Sequence, residues 1–331
     1  DSVYKFPRGH AIETDLFRPC RIRYDHVRTR SGCLTYKFSC DRPLRPGHVG
    51  QQFASTGDMH QAEHASDLSE SVNWTRDAVP AMPDSPNRSV SRAFRIVDAL
   101  SRNDGMGVSE LATEVDLPVS TVHDYLRTLC STGHVRKEGT EYLTSTRFLE
   151  IGHRDRRQRK IYTAVSEELS TAAEETGEQA TLIIEEDGDG VLLAVAEGES
   201  AVDLPAYPGA RVPLYANAGG KAILAHVSPE RLEALLAEQA FKPITKRTVT
   251  DRETLLDELE AVRERGYAVD RGERIAGFIC VAVPVLDRDE VVRGAICVCG
   301  PESRMTEDRR EAVLTTIRRV ANITQVNMDY V

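Results

Sequence analysis

Residues 108–135 restrict the fold of this chain more than any other stretch, because they predict two short helices around a tight break. In the first helix, Leu111, Ala112 and Val115 are spaced to form one apolar face. Ser109 is expected to cap the first turn through its hydroxyl group. The apolar pattern stops at Asp116, so the chain turns there before a second helix begins.

The second helix is predicted from Pro118 to Leu129, because a proline at the first helical position loses little from its missing N–H. Val122 and Leu126 face inward at helical spacing. The outward face then carries short hydrogen-bonding and charged groups, which are suited to reading base edges in a DNA major groove. The predicted DNA-contacting residues of this helical pair are Ser109, Ser120, Thr121, His123, Asp124 and Arg127.

Two neighbouring patterns extend the helical pair. Upstream, a third amphipathic helix carries apolar side chains at Val90, Ala93, Phe94, Val97 and Leu100. Downstream, the strands His134–Glu138 and Glu141–Leu143 flank a turn at Gly139-Thr140, and Gly133 supplies a left-handed helix stop. Many small domains contain a helical hairpin, but this combination predicts a winged helix-turn-helix DNA-binding domain at residues 86–150.

Charge is distributed unevenly around this domain. The chain has a net charge of −10, but residues 161–331 account for it with 31 acidic and 18 basic side chains. The decapeptide IGHRDRRQRK at residues 151–160 instead carries five basic side chains and one acidic one. Because phosphate contact depends on local charge, a basic linker helix is predicted at residues 151–165. Its expected phosphate contacts are Arg154, Arg156, Arg157 and Arg159, and the alternative is an ordinary solvated helix face.

Helix and strand patterns alternate over residues 166–331. Gln179–Glu185 and Val191–Ala196 are apolar strands separated by a glycine-containing turn. Thr250 and Glu253 are expected to form a capping box at the start of a later helix. Strands joined by short turns and covered by helices predict an α+β domain with a largely antiparallel sheet.

Four motifs give the chain a resemblance to a known family. They read LPVSTVHDYLRTL, YLTSTRFLEIG, VPLYANAGGKAILA and GFICVAVPVLDRDEVVRGAICVCGP. In this order they resemble the IclR-type transcriptional regulators, from about Arg88 to the C-terminus. The resemblance implies a winged helix-turn-helix, a linker helix and a GAF-like effector-binding domain. It also implies a homodimer or tetramer on double-stranded DNA, for which a palindromic operator is expected.

The resemblance further implies an effector site in the distal domain. Gly209 and Ala210 correspond to a loop that offers backbone N–H groups to a carboxylate, and small side chains there would leave room for a ligand. Tyr215 is assigned to the same site. Asp270 corresponds to a polar acceptor of the family site.

Three cysteines complete the expected effector site. Cys280 corresponds to a cysteine of the family, whereas Cys297 and Cys299 fall where one branch of the family has two serines. Strand alternation places the last two on one face of a strand. Because thiols are weaker donors than hydroxyls, the expected effector is an organic acid larger and less polar than a two-carbon keto acid.

An enzyme is a competing interpretation with little support. Cys280 with His226 and Asp270 could supply a nucleophile and base, but nothing in their spacing brings them together. The triplet at residues 219–221 resembles part of a phosphate loop, yet the other required residues are missing. The cysteines lack metal-ligand spacing, so no metal, cofactor or catalysis is expected. A second alternative is a distal domain that only oligomerises.

The first 85 residues show no sustained helical or strand period, which predicts an unstructured extension. Met82 looks like a natural translation start, which would leave residues 1–81 untranslated. Residues 81–87 are rich in proline and serine and predict a linker.

Composition bears on the cellular compartment. No run approaches the roughly 18 apolar residues that a membrane helix needs. Seven unevenly spaced cysteines predict no disulfide framework, so a cytoplasmic protein with reduced thiols and no membrane contact is expected. Only 7 of the 42 basic residues are lysines, which suits the high-salt cytoplasm of a halophilic archaeon or, alternatively, a GC-rich genome.

Overall fold

The computed structural model describes residues 22–28, 34–40 and 87–330. The chain divides into two units, residues 1–60 and 61–331, and each is described by itself. The rest of the predicted N-terminal extension, including the linker at residues 81–86, lies outside the described residues.

The first unit contains two paired strands. β1 (Ile22–Arg28) and β2 (Leu34–Cys40) are antiparallel, with Ile22 opposite Cys40. The prediction of an unstructured segment is therefore wrong for these two strands. Apolar and polar residues alternate through LTYKFSC, which is the period of a strand.

The second unit begins with a winged helix-turn-helix, as predicted. Its elements are α1 (Arg88–Ser101), β3 (Met106–Gly107), α2 (Val108–Glu114), α3 (Val119–Ser131), β4 (Val135–Glu138) and β5 (Glu141–Thr144). The strands pair antiparallel in the order β3-β5-β4. Gly133 and Gly139 have φ of +76° and +59°, so the predicted stop after α3 and the wing turn are confirmed. The short strand β3 was not predicted.

The apolar face predicted for α1 is partly wrong. Ile96 and Leu100 are buried against α2, α3 and the small sheet, but Val90 and Phe94 are 51% and 54% exposed. All buried residues of α1 lie in its last two turns. The first two turns therefore extend beyond the core, and their apolar side chains remain on the surface.

Two predicted helix caps are also wrong. α2 begins two residues earlier than expected, with Gly107 as the N-cap, so Ser109 lies inside the first turn and does not cap it. The helix predicted to start with a Thr250 capping box has Asp251 as its N-cap, and Asp251 Oδ2 accepts from Thr254 N at 2.8 Å. A carboxylate one residue further along competes successfully with the threonine hydroxyl.

The linker is two helices rather than one. α4 (Arg147–Gln158) and α5 (Lys160–Thr176) are separated by Arg159, which has φ −83° and ψ 114°. The Arg159 guanidinium donates to Asp155 on α4 at 3.1 Å and to Glu186 of the distal domain at 2.6 Å. These bonds support the extended residue at the break.

The distal domain is built on one antiparallel sheet. Its strands are β6 (Gln179–Glu186), β7 (Asp189–Ala196), β8 (Arg211–Pro213), β9 (Ala268–Asp270), β10 (Phe278–Leu286) and β11 (Val292–Pro301). Their order is β8-β7-β6-β11-β10-β9. The helices that follow α5 are α6 (Ala218–Leu224), α7 (Pro229–Ala237), α8 (Arg252–Arg265) and α9 (Glu307–Met328). The predicted α+β class is confirmed.

Helices cover both faces of this sheet. On one face, α5 and α9 pack against strand residues that include Ile296 and Val298. On the other, α6, α7 and α8 enclose a second cluster that includes Ala295 and Cys297. The alternation predicted along β11 is therefore confirmed. None of the helices in the described part of the chain has the length and apolar content to cross a bilayer.

Candidate DNA-contact surface and effector cavity

The residues predicted to contact DNA from the helical pair lie on the outer surface of α2 and α3. Thr121 is half-buried. The exposed members are Ser109, Ser120, His123, Asp124 and Arg127. No side chain caps the first turn of α3, so the N–H groups of that turn are available to an external acceptor such as phosphate.

Asp124 and Arg127 form an ion pair on this surface. Arg127 Nη2 lies 3.5 Å from Asp124 Oδ1, and the two side chains are 76% and 70% exposed. Exposed pairs of this kind contribute little to stability. The pair instead partly neutralises the one arginine on the outer face of α3 and restricts where its guanidinium lies.

The wing adds two exposed basic residues that are absent from the predicted contacts. Arg136 forms an ion pair with Glu138, and Lys137 Nζ lies 5.3 Å from the centre of the Tyr142 ring. Both lie on β4 immediately before the wing turn. Basic residues beside a predicted turn of this kind were the signal that could have identified them.

The linker arginines have different surroundings. Arg154 pairs with Glu150 at 2.7 Å and remains exposed, as does Arg157. Arg156 lies 4.6 Å from the centre of the Tyr162 ring, and its Nε is buried. Arg154 and Arg157 are therefore presented to solvent, whereas Arg156 packs on α5.

A small cavity lies between the sheet and the helices of its second face. It measures about 20 Å³, room for about one water molecule. The lining residues come from five strands, the start of α6 and two loops. They are Gln179, Thr181, Ile183, Leu192, Leu204, Ala206, Asn217, Ala218, Asp270, Arg274, Ile275, Cys280, Cys297 and Cys299.

Four of the predicted effector residues, Asp270 and the three cysteines, line this cavity. Gly209, Ala210 and Tyr215 are not among its lining residues. The expectation of free N–H groups is wrong, because Gly209 N donates to Leu192 O at 2.8 Å and Ala210 N donates to Tyr207 O at 3.0 Å. Tyr215 is buried, and its hydroxyl donates to Lys242 O at 2.7 Å.

Asn217 and Ala218 line the cavity, whereas the predicted Gly209 and Ala210 do not. Asn217 and Ala218 begin α6, where backbone N–H groups lack acceptors within the helix. Asn217 Oδ1 accepts from Gly220 N at 2.7 Å, which fixes this turn beside the cavity. The sequence signal was an asparagine directly before a helix, in the same motif that carries the family resemblance.

Asp270 and Arg274 are the charged groups of the cavity. Burial raises the pKa of Asp270 to about 7, and the negative charge of Glu273 adds to this rise. Its Oδ1 accepts from Glu273 N at 2.6 Å. Burial lowers the pKa of Arg274 to about 10, which leaves the guanidinium protonated at neutral pH. Burial raises the pKa of Cys297 to about 12, so it remains a thiol.

Lys221 forms a buried charge cluster behind Asp270. Its side chain is fully buried, and Nζ donates to Glu258 Oε1 at 2.7 Å and to Glu273 Oε1 at 2.6 Å. A Cβ atom on Gly220 would approach Leu214 O to 2.1 Å. The glycines before Lys221 therefore serve close packing against Ile183 and Leu214.

Two of the three cavity cysteines are joined. Cys280 on β10 lies opposite Cys299 on β11, with Cα atoms 4.1 Å apart, and their sulfurs form a disulfide. The expectation of reduced thiols is wrong for this pair. Cys297, two residues earlier on the same strand face, is a free thiol.

The comparisons with known proteins cover both domains. Residues 89–139 match the IclR helix-turn-helix domain, and residues 156–325 match the C-terminal domain of the bacterial transcriptional regulator IclR. The chain belongs to the IclR family. It is 33% identical over 238 residues to the HTH-type transcriptional regulator BhcR of Paracoccus denitrificans, covering 71% of this chain and 85% of that one.

Solved IclR-family structures share this fold. The IclR of Thermotoga maritima superposes with a TM-score of 0.65 at 30% identity, covering 72% of this chain and 98% of that one. An IclR homologue of Microbacterium hydrocarbonoxydans, complexed with 4-hydroxybenzoate, has a TM-score of 0.65 at 21% identity and covers 73% and 99%. The predicted winged helix-turn-helix and GAF-like architecture is thereby confirmed.

As an IclR-family protein, the chain is a DNA-binding transcriptional regulator and not an enzyme. In the structure, His226 and Cys280 have other partners. His226 Nδ1 lies 2.9 Å from Ala222 O, and Cys280 is bonded to Cys299. Within residues 87–330 and the two N-terminal strands, no group of three or more His, Cys, Asp or Glu side chains could hold a metal ion.

Proposed function

We propose that this regulator binds a specific operator and that a small monocarboxylic acid in the Asp270 cavity controls its DNA affinity. One observation carries the proposal: the cavity combines a half-buried arginine, two of whose nitrogens are shielded from solvent, with an otherwise largely apolar wall. Arg274 Nε and Nη2 are shielded from solvent, and Ile183, Leu192 and Leu204 line the space beside them. Buried guanidinium groups bind carboxylates through charge-assisted hydrogen bonds.

The cavity favours a single carboxylate. Arg274 supplies one positive charge, and Asp270 opposes a second negative group on the ligand. Leu204, Ala206 and Ile275 offer apolar contact to the remainder of the acid. This supports an acid with an aromatic ring or short acyl chain, and the 4-hydroxybenzoate of the solved homologue belongs to this class.

The size of the cavity supports a control function. A space of about 20 Å³ is far smaller than the roughly 300 Å³ or more of typical ligand sites. An acid must therefore widen the cavity, and two lining segments lie outside the helices and strands: the loop that carries Leu204 and Ala206, and the loop that carries Arg274 and Ile275. Binding and a change of shape are coupled in such a site.

The proposal is tested by titrating aromatic and short-chain monocarboxylates, 4-hydroxybenzoate included, into the full chain by calorimetry. The same acids are then added to the chain bound to operator DNA. Micromolar binding with a change in DNA affinity is the expected result. Absence of heat for the whole panel would instead favour a distal domain that only oligomerises.

The acid is expected to bind more tightly as the pH falls through about 7. Ionised Asp270 repels the ligand carboxylate, so binding should be accompanied by proton uptake at Asp270. Above the pKa, affinity should fall by up to about tenfold per pH unit. Calorimetry in buffers of different ionisation enthalpy measures the number of protons taken up when the acid binds.

Asp270→Asn should remove this pH dependence. Asp98→Asn is the matched control, because burial also raises the pKa of Asp98, which lies in the winged domain. An acid affinity that stays constant from pH 6 to 8.5, without proton uptake, would exclude Asp270 from the site.

On DNA, we propose a homodimer that places two copies of α3 in successive major grooves of a palindromic operator. The exposed apolar side chains of Val90 and Phe94 on α1, and of Leu149 and Ile151 on α4, would be covered by a second copy. A regulator of transcription acts where the chromosome lies, so a cytoplasmic location is proposed. A footprint without two-fold symmetry would contradict the dimer.

Asp124→Ala should raise affinity for DNA of arbitrary sequence and reduce discrimination for the operator. Loss of the carboxylate releases Arg127 for phosphate contact, so the salt dependence should steepen by about one unit of slope. Fluorescence anisotropy at several salt concentrations measures both effects. Asp104→Ala makes the same charge change outside α3, and an identical slope in the two variants would refute the assigned function of the ion pair.

A further inference from the structure

The disulfide lies in the wall of the effector cavity. Strand register sets Cys280 opposite Cys299, and both side chains are lining residues of the same space as Asp270 and Arg274. β10 and β11 are already paired along their length, from Phe278–Pro301 to Leu286–Val292. The disulfide therefore links two strands that the sheet already holds together. Its distinctive feature is that it lies in the wall of the cavity.

We propose that Cys280 and Cys299 form a reversible thiol–disulfide pair that sets how tightly the cavity binds its acid. This inference rests on the proposed function. A peroxide is the oxidant: one thiolate attacks a peroxide oxygen, giving a sulfenic acid and water after protonation. The second thiol then displaces a second water and forms the S–S bond. Overall, two thiols lose two electrons and two protons to one peroxide, and a dithiol reverses the reaction by exchange.

The two states offer the acid different walls. In the reduced state, each sulfur carries an S–H that can donate, weakly, to a ligand oxygen. In the oxidised state both donors are lost, and the bond fixes the two side chains to each other, so neither sulfur can rotate away to make room for a ligand. Because the acid must widen a cavity of about 20 Å³, the oxidised chain should bind it less tightly.

The neighbouring cysteines differ from this pair. Cys297 faces Ala282 rather than another cysteine, and burial keeps it in the unreactive thiol form. Cys130 lies at the C-terminal end of α3, outside the cavity. It is therefore a suitable control position.

The experiment uses the full chain, reduced with dithiothreitol and then treated with hydrogen peroxide. Alkylation and peptide mass mapping should find a Cys280–Cys299 link that dithiothreitol removes. Calorimetry with 4-hydroxybenzoate should give at least tenfold weaker binding to the oxidised chain. Cys299→Ser should abolish the effect of peroxide on binding, whereas Cys130→Ser should retain it.

The outcomes separate the two proposals. Failure of peroxide to form the link overturns this inference, as does a link that leaves acid binding unchanged. If neither the reduced nor the oxidised chain binds 4-hydroxybenzoate or any other acid of the panel, the proposed effector function itself fails, and the dependent inference fails with it.

Discussion

Lys221→Ala is expected to lower the free energy of unfolding by about 3–5 kcal/mol, because it leaves the buried carboxylate of Glu273 without its positive partner. The Lys221 side chain is fully buried, and that of Glu273 is only 8% exposed. Burial already raises the pKa of Glu273, and Lys221 opposes that rise. Chemical denaturation of the full chain measures the loss.

Two further variants distinguish a charge effect from a packing effect. Lys221→Met with Glu273→Gln removes both buried charges at similar volume and should recover part of the stability. Lys246→Ala deletes an exposed lysine in the same domain and should change little. If Lys221→Ala and Lys246→Ala unfold at the same denaturant concentration, the cluster has no stabilising function.

Arg274→Gln is expected to weaken acid binding by about 10- to 100-fold, the range for a lost hydrogen bond to a charged group. The guanidinium is the positive charge of the cavity, and it remains protonated at neutral pH. DNA affinity without the acid should stay near that of the unmodified chain, because Arg274 lies in the distal domain. Calorimetry and anisotropy measure the two quantities separately.

Arg271→Gln provides the matched control. Arg271 is exposed and is not among the lining residues of the cavity. The same loss of affinity in both variants would indicate a general electrostatic effect and would remove Arg274 from the effector site.

Periodicity predicted the winged domain well because its core is local in sequence. Val122 and Leu126 lie one turn apart on α3 and are both buried. The same rule failed for Phe94, since it cannot show how far α1 extends beyond its partners. The predicted helix starts miss the observed ones by two residues at Ser109 and by one at Thr250, because the position of a cap depends on local geometry.

The cavity was less predictable because it is assembled by strand register. Cys280 and Cys299 are 19 residues apart, and their pairing depends on the turn between β10 and β11. A glycine and an alanine at 209–210 suggested an open loop, but the antiparallel neighbour β7 uses their backbone groups. Arg274 follows a strand end in a loop, where no period marks which side chains turn inward.

The extended residue Arg159 affects how motion passes between the two domains. An unbroken helix from Arg147 to Thr176 would be a stiff rod about 45 Å long, and it would transmit torsion directly from the distal domain to the winged helix-turn-helix domain. In this chain the helix is interrupted at Arg159, near its middle, and the Arg159 guanidinium pairs with Asp155 and Glu186 at the break. Ionic contacts therefore support the angle between α4 and α5, and this support will weaken as salt screens the contacts.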